Sequence, residues 1–366
     1  MKIGRISING YDNYGNTLQT YALQQVLKHY ADEVDTLWDS QFDFLPLYSR
    51  KWNLKKIIKF ILNWRGCRTY ILSDKFGLEM ARQTRIRDFC EKNINFRFLN
   101  DDIKSIKNEY DYFVVGSDQV WNPSGNGFKN YFLTFAPAEK RISYAASISR
   151  PDVPARNLDE FKDGINGMKN ISVREQAGGD LIEHLTGRKV DVHVDPTLLV
   201  SAEEWCELEE VPLWYKGGKF ILTYFLGERP PIVEKLSTEL GVPVVNLLDS
   251  KNYTHYVTNI AEFLWAIDHA ELVYTDSFHG TVFSILFRTP FVVCNRIGSG
   301  MFGKMGSRID TLLGYFGLEA RRGTKENGYA IENPLVKPDW SQVDEVLNRE
   351  RKRADDYLRQ ALGIDA

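Results

Sequence analysis

Residues 2–30, KIGRISINGYDNYGNTLQTYALQQVLKHY, run from an apolar stretch through a polar, glycine-containing turn into a helical pattern. Residues 2–8 read as a β-strand and 9–16 as a loop. Residues 17–30 read as a helix, with Leu18, Tyr21, Ala22, Gln25 and Val26 recurring at helical spacing. A strand, a short loop and a helix form the repeating unit of a parallel sheet covered by helices. The unit recurs downstream. Strands are expected at 109–115 (EYDYFVV), 141–146 (RISYAA), 170–174 (NISVR) and 190–194 (VDVHV). After the loop 213–218 a second series begins, with strands at 219–225, 242–247, 271–274 and 290–294. These alternate with helices at 231–240, 260–270 and 281–287. The expected architecture is therefore α/β, with two Rossmann-like domains facing across a cleft. They span 1–210 and 211–332, and a charged helical segment, 333–366, follows. In open parallel sheets ligands collect beyond the carboxyl ends of the strands, which here means in the cleft.

Composition agrees with two soluble domains in 366 residues. Forty-six Lys and Arg against 49 Asp and Glu leave a net charge of −3, which argues against a chain-wide nucleic-acid footprint. No apolar run approaches the ~20 residues that span a bilayer. The N-terminus has no apolar core of a secretory leader. Cys67, Cys90, Cys206 and Cys294 lie far apart, so neither a disulfide framework nor a zinc knuckle is expected, and the cytoplasm is the default compartment. Aromatic residues make up 13% of the chain. They fill cores, and some suit stacking on sugars. One stretch breaks the alternation: residues 49–68, SRKWNLKKIIKFILNWRGCR, carry seven Lys and Arg and no acid. Leu54, Ile57, Ile58, Ile61 and Leu62 share one helical face. This is the pattern of an interfacial helix drawn to anionic lipid, and equally of a core helix with a basic outer face.

No G-x-G-x-x-G follows the first strand, and there is no P-loop. Asn13-Tyr14-Gly15-Asn16 leads into a helix; its amides suit a phosphate or a sugar hydroxyl, or form a plain turn capped by Asn. Thr275-Asp276-Ser277-Phe278-His279-Gly280-Thr281 places His279 between an apolar strand and a helix start, where Asp276 and Ser277 can orient a ring or bind a hydroxyl. His29, His193 and His269 lack such a setting and read as structural. Gly116-Ser117-Asp118-Gln119-Val120-Trp121-Asn122 follows another strand. Asp118 there is either a cap or a carboxylate serving a sugar hydroxyl, and Trp121 is a candidate stacking face. Arg174 ends a strand and offers a fork for carboxylate or phosphate. Arg308 follows a loop rich in glycine (Gly298, Gly300, Gly303, Gly306), either a cationic lid over an anion or a solvated loop.

These motifs, together with Ser172-Val173-Arg174-Glu175 and Asp195-Pro196-Thr197, occur in order over residues 13–308 and resemble the polysaccharide pyruvyl transferase family. The resemblance implies a glycosyltransferase-B-like fold. It also implies transfer from phosphoenolpyruvate to hydroxyls of a sugar in a cell-surface polysaccharide precursor, giving a pyruvate ketal and phosphate without metal or cofactor. His279 and Asp118 then form the catalytic pair, in either order of acid and base. Arg174, Ser277, Phe278, Gly280 and Arg308 bind the donor. Asn13, Tyr14, Asn16, Gln19, Trp121 and Asn122 line the acceptor side. Some members carry Arg two residues before the histidine, where this chain has Ser277, so Arg174 and Arg308 are left as the donor-binding cations. A lipid-linked acceptor would bring the protein to the inner face of the membrane. The competing reading within the same fold is a nucleotide-sugar-dependent glycosyltransferase, for which no nucleobase pocket or ribose-gripping acid is visible. A non-catalytic glycan-binding protein is the third reading.

Overall fold

The computed structural model describes residues 1–39, 73–99, 103–124, 128–297 and 306–364. The basic stretch 49–68, Cys67 and the glycines of 298–303 lie outside the described residues. The first sheet takes β1 (Lys2–Ile6), β2 (Glu33–Asp39), β3 (Phe96–Leu99), β4 (Tyr112–Gly116) and β5 (Arg141–Tyr144), in the order β3-β2-β1-β4-β5, all parallel. Helix α1 (Tyr14–Leu27) follows β1, and α2 (Asp74–Asn93) precedes β3. Two bridges, Ile142 to Asn170 and Ala146 to Val173, carry the pairing on to β6 (Ser172–Val173) and its partner β7 (Asp191–Val192). Helices α3 (Leu158–Asn166) and α4 (Gln176–Thr186) complete this half, and α5 (Ala202–Cys206) leads out of it. The order 3-2-1-4-5-6 is that of a dinucleotide-binding sheet, reversing direction between β1 and β4.

The second sheet comprises β8 (Ile221–Tyr224), β9 (Val244–Asn246), β10 (Leu272–Thr275), β11 (Phe291–Cys294) and β12 (Arg322–Gly323), again all parallel. Counted from β8, the order β9-β8-β10-β11-β12 is 2-1-3-4-5, the other common doubly wound arrangement, reversing between β8 and β10. Helices α6 (Ile232–Leu240), α7 (Tyr253–Tyr256), α8 (Ile260–Asp268), α9 (Phe278–Leu286) and α10 (Ser307–Phe316) join these strands. The final helix, α11 (Ser341–Ala361), returns to the first half, where Tyr357 donates to the Ser143 carbonyl at 2.7 Å. Strands β8, β10 and β11 are short runs rich in β-branched and aromatic residues and buried on both faces, as helix-covered parallel sheets require.

One continuous apolar core joins the halves, running from Ile3 and Leu23 through Phe263 and Phe283 to Leu347 and Leu358. Two helix starts differ from the sequence reading. Helix α1 begins at Tyr14 rather than residue 17, because Asn13 caps it, its Oδ1 accepting the amides of Gly15 (2.9 Å) and Asn16 (3.3 Å). Helix α9 begins at Phe278 rather than residue 281, with Ser277 as the cap. His279 therefore sits inside a first helical turn and not in the loop before it.

Candidate active site

The loops that follow β1 and β4 leave the reversal point of the first sheet, and those that follow β8 and β10 leave that of the second. His279 enters from the second half. Ser277 Oγ accepts the Gly280 amide (3.3 Å), and Thr275 Oγ1 accepts the Ser277 amide (3.0 Å), fixing the turn that presents the ring. A β-carbon built on Gly15 would lie 2.0 Å from His279 Nδ1, so the imidazole rests directly on the first turn of α1. Its Nε2 stands 3.6 Å from Asp195 Oδ2, within ion-pair range but beyond hydrogen-bond length. That nitrogen is buried and has no hydrogen-bond partner among the described residues.

Asp195 is fully buried at the turn after β7. Its Oδ2 accepts Arg174 Nη1 (2.6 Å) and Ser117 Oγ (2.8 Å), and its Oδ1 accepts the amide and hydroxyl of Thr197 (3.1 and 2.7 Å). Burial pushes the carboxyl up, but His279, Arg174 and the Thr197 amide outweigh it and hold Asp195 well below the usual carboxylate range. The Arg174 guanidinium lies 4.6 Å from the Phe278 ring centroid, and that of Arg308, from the first turn of α10, lies 5.7 Å from the same ring. Burial and the like charge of Arg174 push Arg308 down to about 10, against the opposing pull of Glu175 and Asp118. Arg308 thus stays charged at neutral pH. Arg174 Nε and Nη2 and Arg308 Nε join His279 Nε2 as buried polar atoms with no hydrogen-bond partner among the described residues. Two cations and an imidazole around one phenyl ring offer donors whose geometry suits an anion with several acceptor atoms.

Asp118 lies half-buried past β4, in the left-handed backbone region at φ 60°, which Asp tolerates better than most residues. Asn16 Nδ2 donates to its Oδ2 (3.0 Å) and the Gln119 amide to its Oδ1 (2.8 Å). Each oxygen keeps a further lone pair for a substrate hydroxyl. Beneath it Arg5 is fully buried, donating to Gln19 Oε1 and Thr20 Oγ1 (both 3.2 Å). Burial brings Arg5 down to about 9, opposed by the charge of Asp118.

Of the expected site residues, the structure brings His279, Arg174, Phe278 and Arg308 into one cluster, with Ser277 and Gly280 shaping its turn. Three of the expected acceptor residues belong to the interior instead. Trp121 is fully buried, stacked on Phe132 at 5.5 Å with Nε1 donating to the Tyr131 carbonyl, so it presents no face to a sugar. Tyr14 is packed against Phe263 and Tyr224, and its hydroxyl donates to the Thr258 carbonyl (2.6 Å), tying the two halves together. Gln19 is spent on Arg5, Ser7 and Thr20. Asn13 has its oxygen committed to the helix cap, and Asn122 bonds Gln119 and the Ser124 amide. Asp276 is buried, accepts the amides of Leu226 (2.7 Å) and Gly227 (2.8 Å) and pairs with Arg296, so it anchors the β8 loop. His193 is buried between Tyr144 and Tyr357, as a structural histidine.

Sequence reading gave no site role to Asp195, Ser117 or Glu175, although all three lie in the motifs that carry the resemblance. Glu175 Oε1 accepts the amides of Ile148 and Ser149 (both 2.9 Å) and the Ser147 hydroxyl (3.0 Å), while its Oε2 is a buried acceptor without a partner among the described residues. The available signal was the place of Asp195 and Glu175 directly after strands, next to residues that were singled out.

A family model for polysaccharide pyruvyl transferase matches residues 13–297. No curated protein matches the chain. Solved structures to which it is similar include the UDP-GlcNAc 2-epimerase of Neisseria meningitidis bound to UDP-GlcNAc, at 12% identity and a TM-score of 0.37, covering 95% of this chain and 100% of that one. MurG of Acinetobacter baumannii matches at 10% identity and 0.42 over 96% of this chain and 94% of that one. The E. coli ADP-heptose LPS heptosyltransferase II matches at 13% and 0.35 over 97% and 100%.

Proposed function

The chain belongs to the polysaccharide pyruvyl transferase family, and from that premise we propose that it moves the pyruvyl group of phosphoenolpyruvate onto two hydroxyls of a sugar in a polysaccharide precursor. The observation that carries this reading is the group of buried donors of Arg174, Arg308 and His279 around Phe278 that lack a partner among the described residues. Phosphoenolpyruvate brings a carboxylate and a phosphate on one small frame. Two planar guanidinium forks suit that pair of anions. Arg308 supplies the second cation that Ser277 cannot.

The reaction needs a proton on the methylene carbon of the donor, which makes its neighbouring carbon electrophilic. A sugar hydroxyl adds there, the C–O bond to phosphate breaks, and a second hydroxyl closes the ketal. One hydroxyl proton replaces that given to the methylene, and the other leaves with phosphate. His279 and Asp118 take the two proton-transfer roles. Asp118 holds spare lone pairs, and Asn16 orients it. No metal or cofactor enters the scheme. The acceptor, lipid-linked or soluble, lies on the side of Asp118 and Asn16.

The test is phosphate release from phosphoenolpyruvate in the presence of candidate oligosaccharide acceptors, followed by mass spectrometry of the acceptor. A mass gain of pyruvate minus water is expected. Thermal stabilisation by UDP- or GDP-sugars, with none by phosphoenolpyruvate, would replace this reading with the glycosyltransferase one.

A further inference from the structure

Among the described residues, Asp195 is the carboxylate that touches both the anion-binding and the proton-transferring parts of the cluster. Through Oδ2 it holds Arg174 at 2.6 Å and faces His279 Nε2 at 3.6 Å. Arg174, Ser117 and Asp195 come from the ends of β6, β4 and β7 in the first half, whereas His279 comes from the second. The contact therefore crosses between the two sheets. Four polar groups (Arg174 Nη1, Ser117 Oγ and the Thr197 amide and hydroxyl) fix the carboxylate plane and keep it ionised.

The separation of 3.6 Å matters. A carboxylate at 2.8 Å would take the Nε2 proton into its own hydrogen bond. At 3.6 Å the carboxylate faces the ring edge without engaging it, and Nε2 stays available to another partner. On the opposite side Gly15 carries no side chain that would push the ring away. Among the described residues, the other charged groups around the start of α9 are Arg174 and Arg308 over Phe278, and Asp276, which is committed to Leu226, Gly227 and Arg296. Glu175 and Asp118 act on Arg308. Asp195 is thus, among the described residues, the carboxylate that faces both His279 and Arg174.

We propose that Asp195 is a positioning residue that holds His279 in the orientation of the proton donor to the methylene carbon, which makes His279 the acid and leaves the base role to Asp118. This rests on the transfer reading above. It adds that the anion site and the proton donor share one carboxylate, so that the donor is aligned only when the two halves stand at this separation.

The experiment is a double-mutant cycle on phosphate release at saturating phosphoenolpyruvate. In the wild-type background Asp195→Asn is expected to lower kcat by about 10²-fold or more, within the span of general acid–base removal. In the His279→Gln background, measured in single turnover with excess enzyme, the same change is expected to cost less than about threefold, because the group through which Asp195 acts is gone. Equal costs in the two backgrounds would overturn the proposal and leave Asp195 a structural partner of Arg174. If Asp195→Asn does not fold, Ser117→Ala takes its place in the cycle, since it keeps the charge and frees the carboxylate to rotate. A fall in kcat confined to the His279 background supports the role, and an additive fall overturns it. Wild-type protein that binds no phosphoenolpyruvate and releases no phosphate is a different result, which removes the transfer reading itself.

Discussion

Gly15 is where the two halves meet at atomic scale, because the imidazole of His279 occupies the space of its absent side chain. Gly15→Ala would put a methyl group 2.0 Å from Nδ1. The capped first turn of α1 cannot yield, so the ring must. A displacement of this order is expected to lower kcat by about 10²-fold, with the thermal midpoint little changed; an unaltered kcat would show that the ring has no fixed station. Arg308→Lys replaces a planar fork stacked on Phe278 by a point charge. Calorimetric titration with phosphoenolpyruvate should show weaker binding by about tenfold, roughly the worth of one charge-assisted hydrogen bond. Trp121 is a core residue, and Trp121→Ala is expected to cost about 3–5 kcal/mol in denaturant unfolding. A raised acceptor KM in a variant of undiminished stability would return it to the sugar site.

At the scale of elements, the final helix α11 closes the molecule. Val343, Val346, Leu347, Ala354, Tyr357, Leu358 and Ala361 form its buried stripe. Arg351 donates to the carbonyls of Leu198 (3.1 Å) and Val200 (3.0 Å) in the first half, while Asp344 pairs with Arg288 in the second. Removing residues 341–366 would expose apolar surface on both halves. The truncated chain is expected to lose cooperative unfolding or to aggregate, as read by circular dichroism and light scattering; a cooperative transition with its midpoint unchanged would show α11 to be an appendage. A charged helical segment at 333–366 was visible in the sequence, but its partners were not, because a helix pattern does not say what covers its buried face. The same limit explains Tyr14, Gln19 and Trp121: amphipathic side chains beside a cleft motif carry no mark that distinguishes a ligand face from a core face.

The halves are joined by charged contacts such as Arg85 with Glu262 (2.9 Å) and by one shared apolar core. The connection between them passes Cys206 and Glu209, whose ligand atoms lie within 4.8 Å of each other and of Asp268. Burial and the nearby Asp268 raise the Glu209 carboxyl to about 7. A carboxyl whose pKa is higher in the folded state binds its proton more tightly there. It therefore lowers stability as pH rises through the window from the unfolded value, about 4.5, to about 7. Glu209→Gln should remove that loss and make the protein more stable than wild type at pH 8 by about 1 kcal/mol, with little difference at pH 5. Thermal melts at the two pH values check this, and equal shifts at both would deny the linkage.

The alternation of apolar strands and amphipathic helices determined the fold class by itself, since period and order are local properties that only helix-covered parallel sheets satisfy. It also determined which loops lie at the strand ends, and so drew attention to His279, Arg174, Arg308 and Asp118. Tertiary structure alone decided which of these share a site. Arg174 and His279 are 105 positions apart in the chain (279 − 174), and both face one carboxylate, Asp195. Distances of that kind depend on how two independently wound sheets pack against each other, through Gly15, Tyr14 and the common core. Nothing in the local periodicity of either segment encodes them.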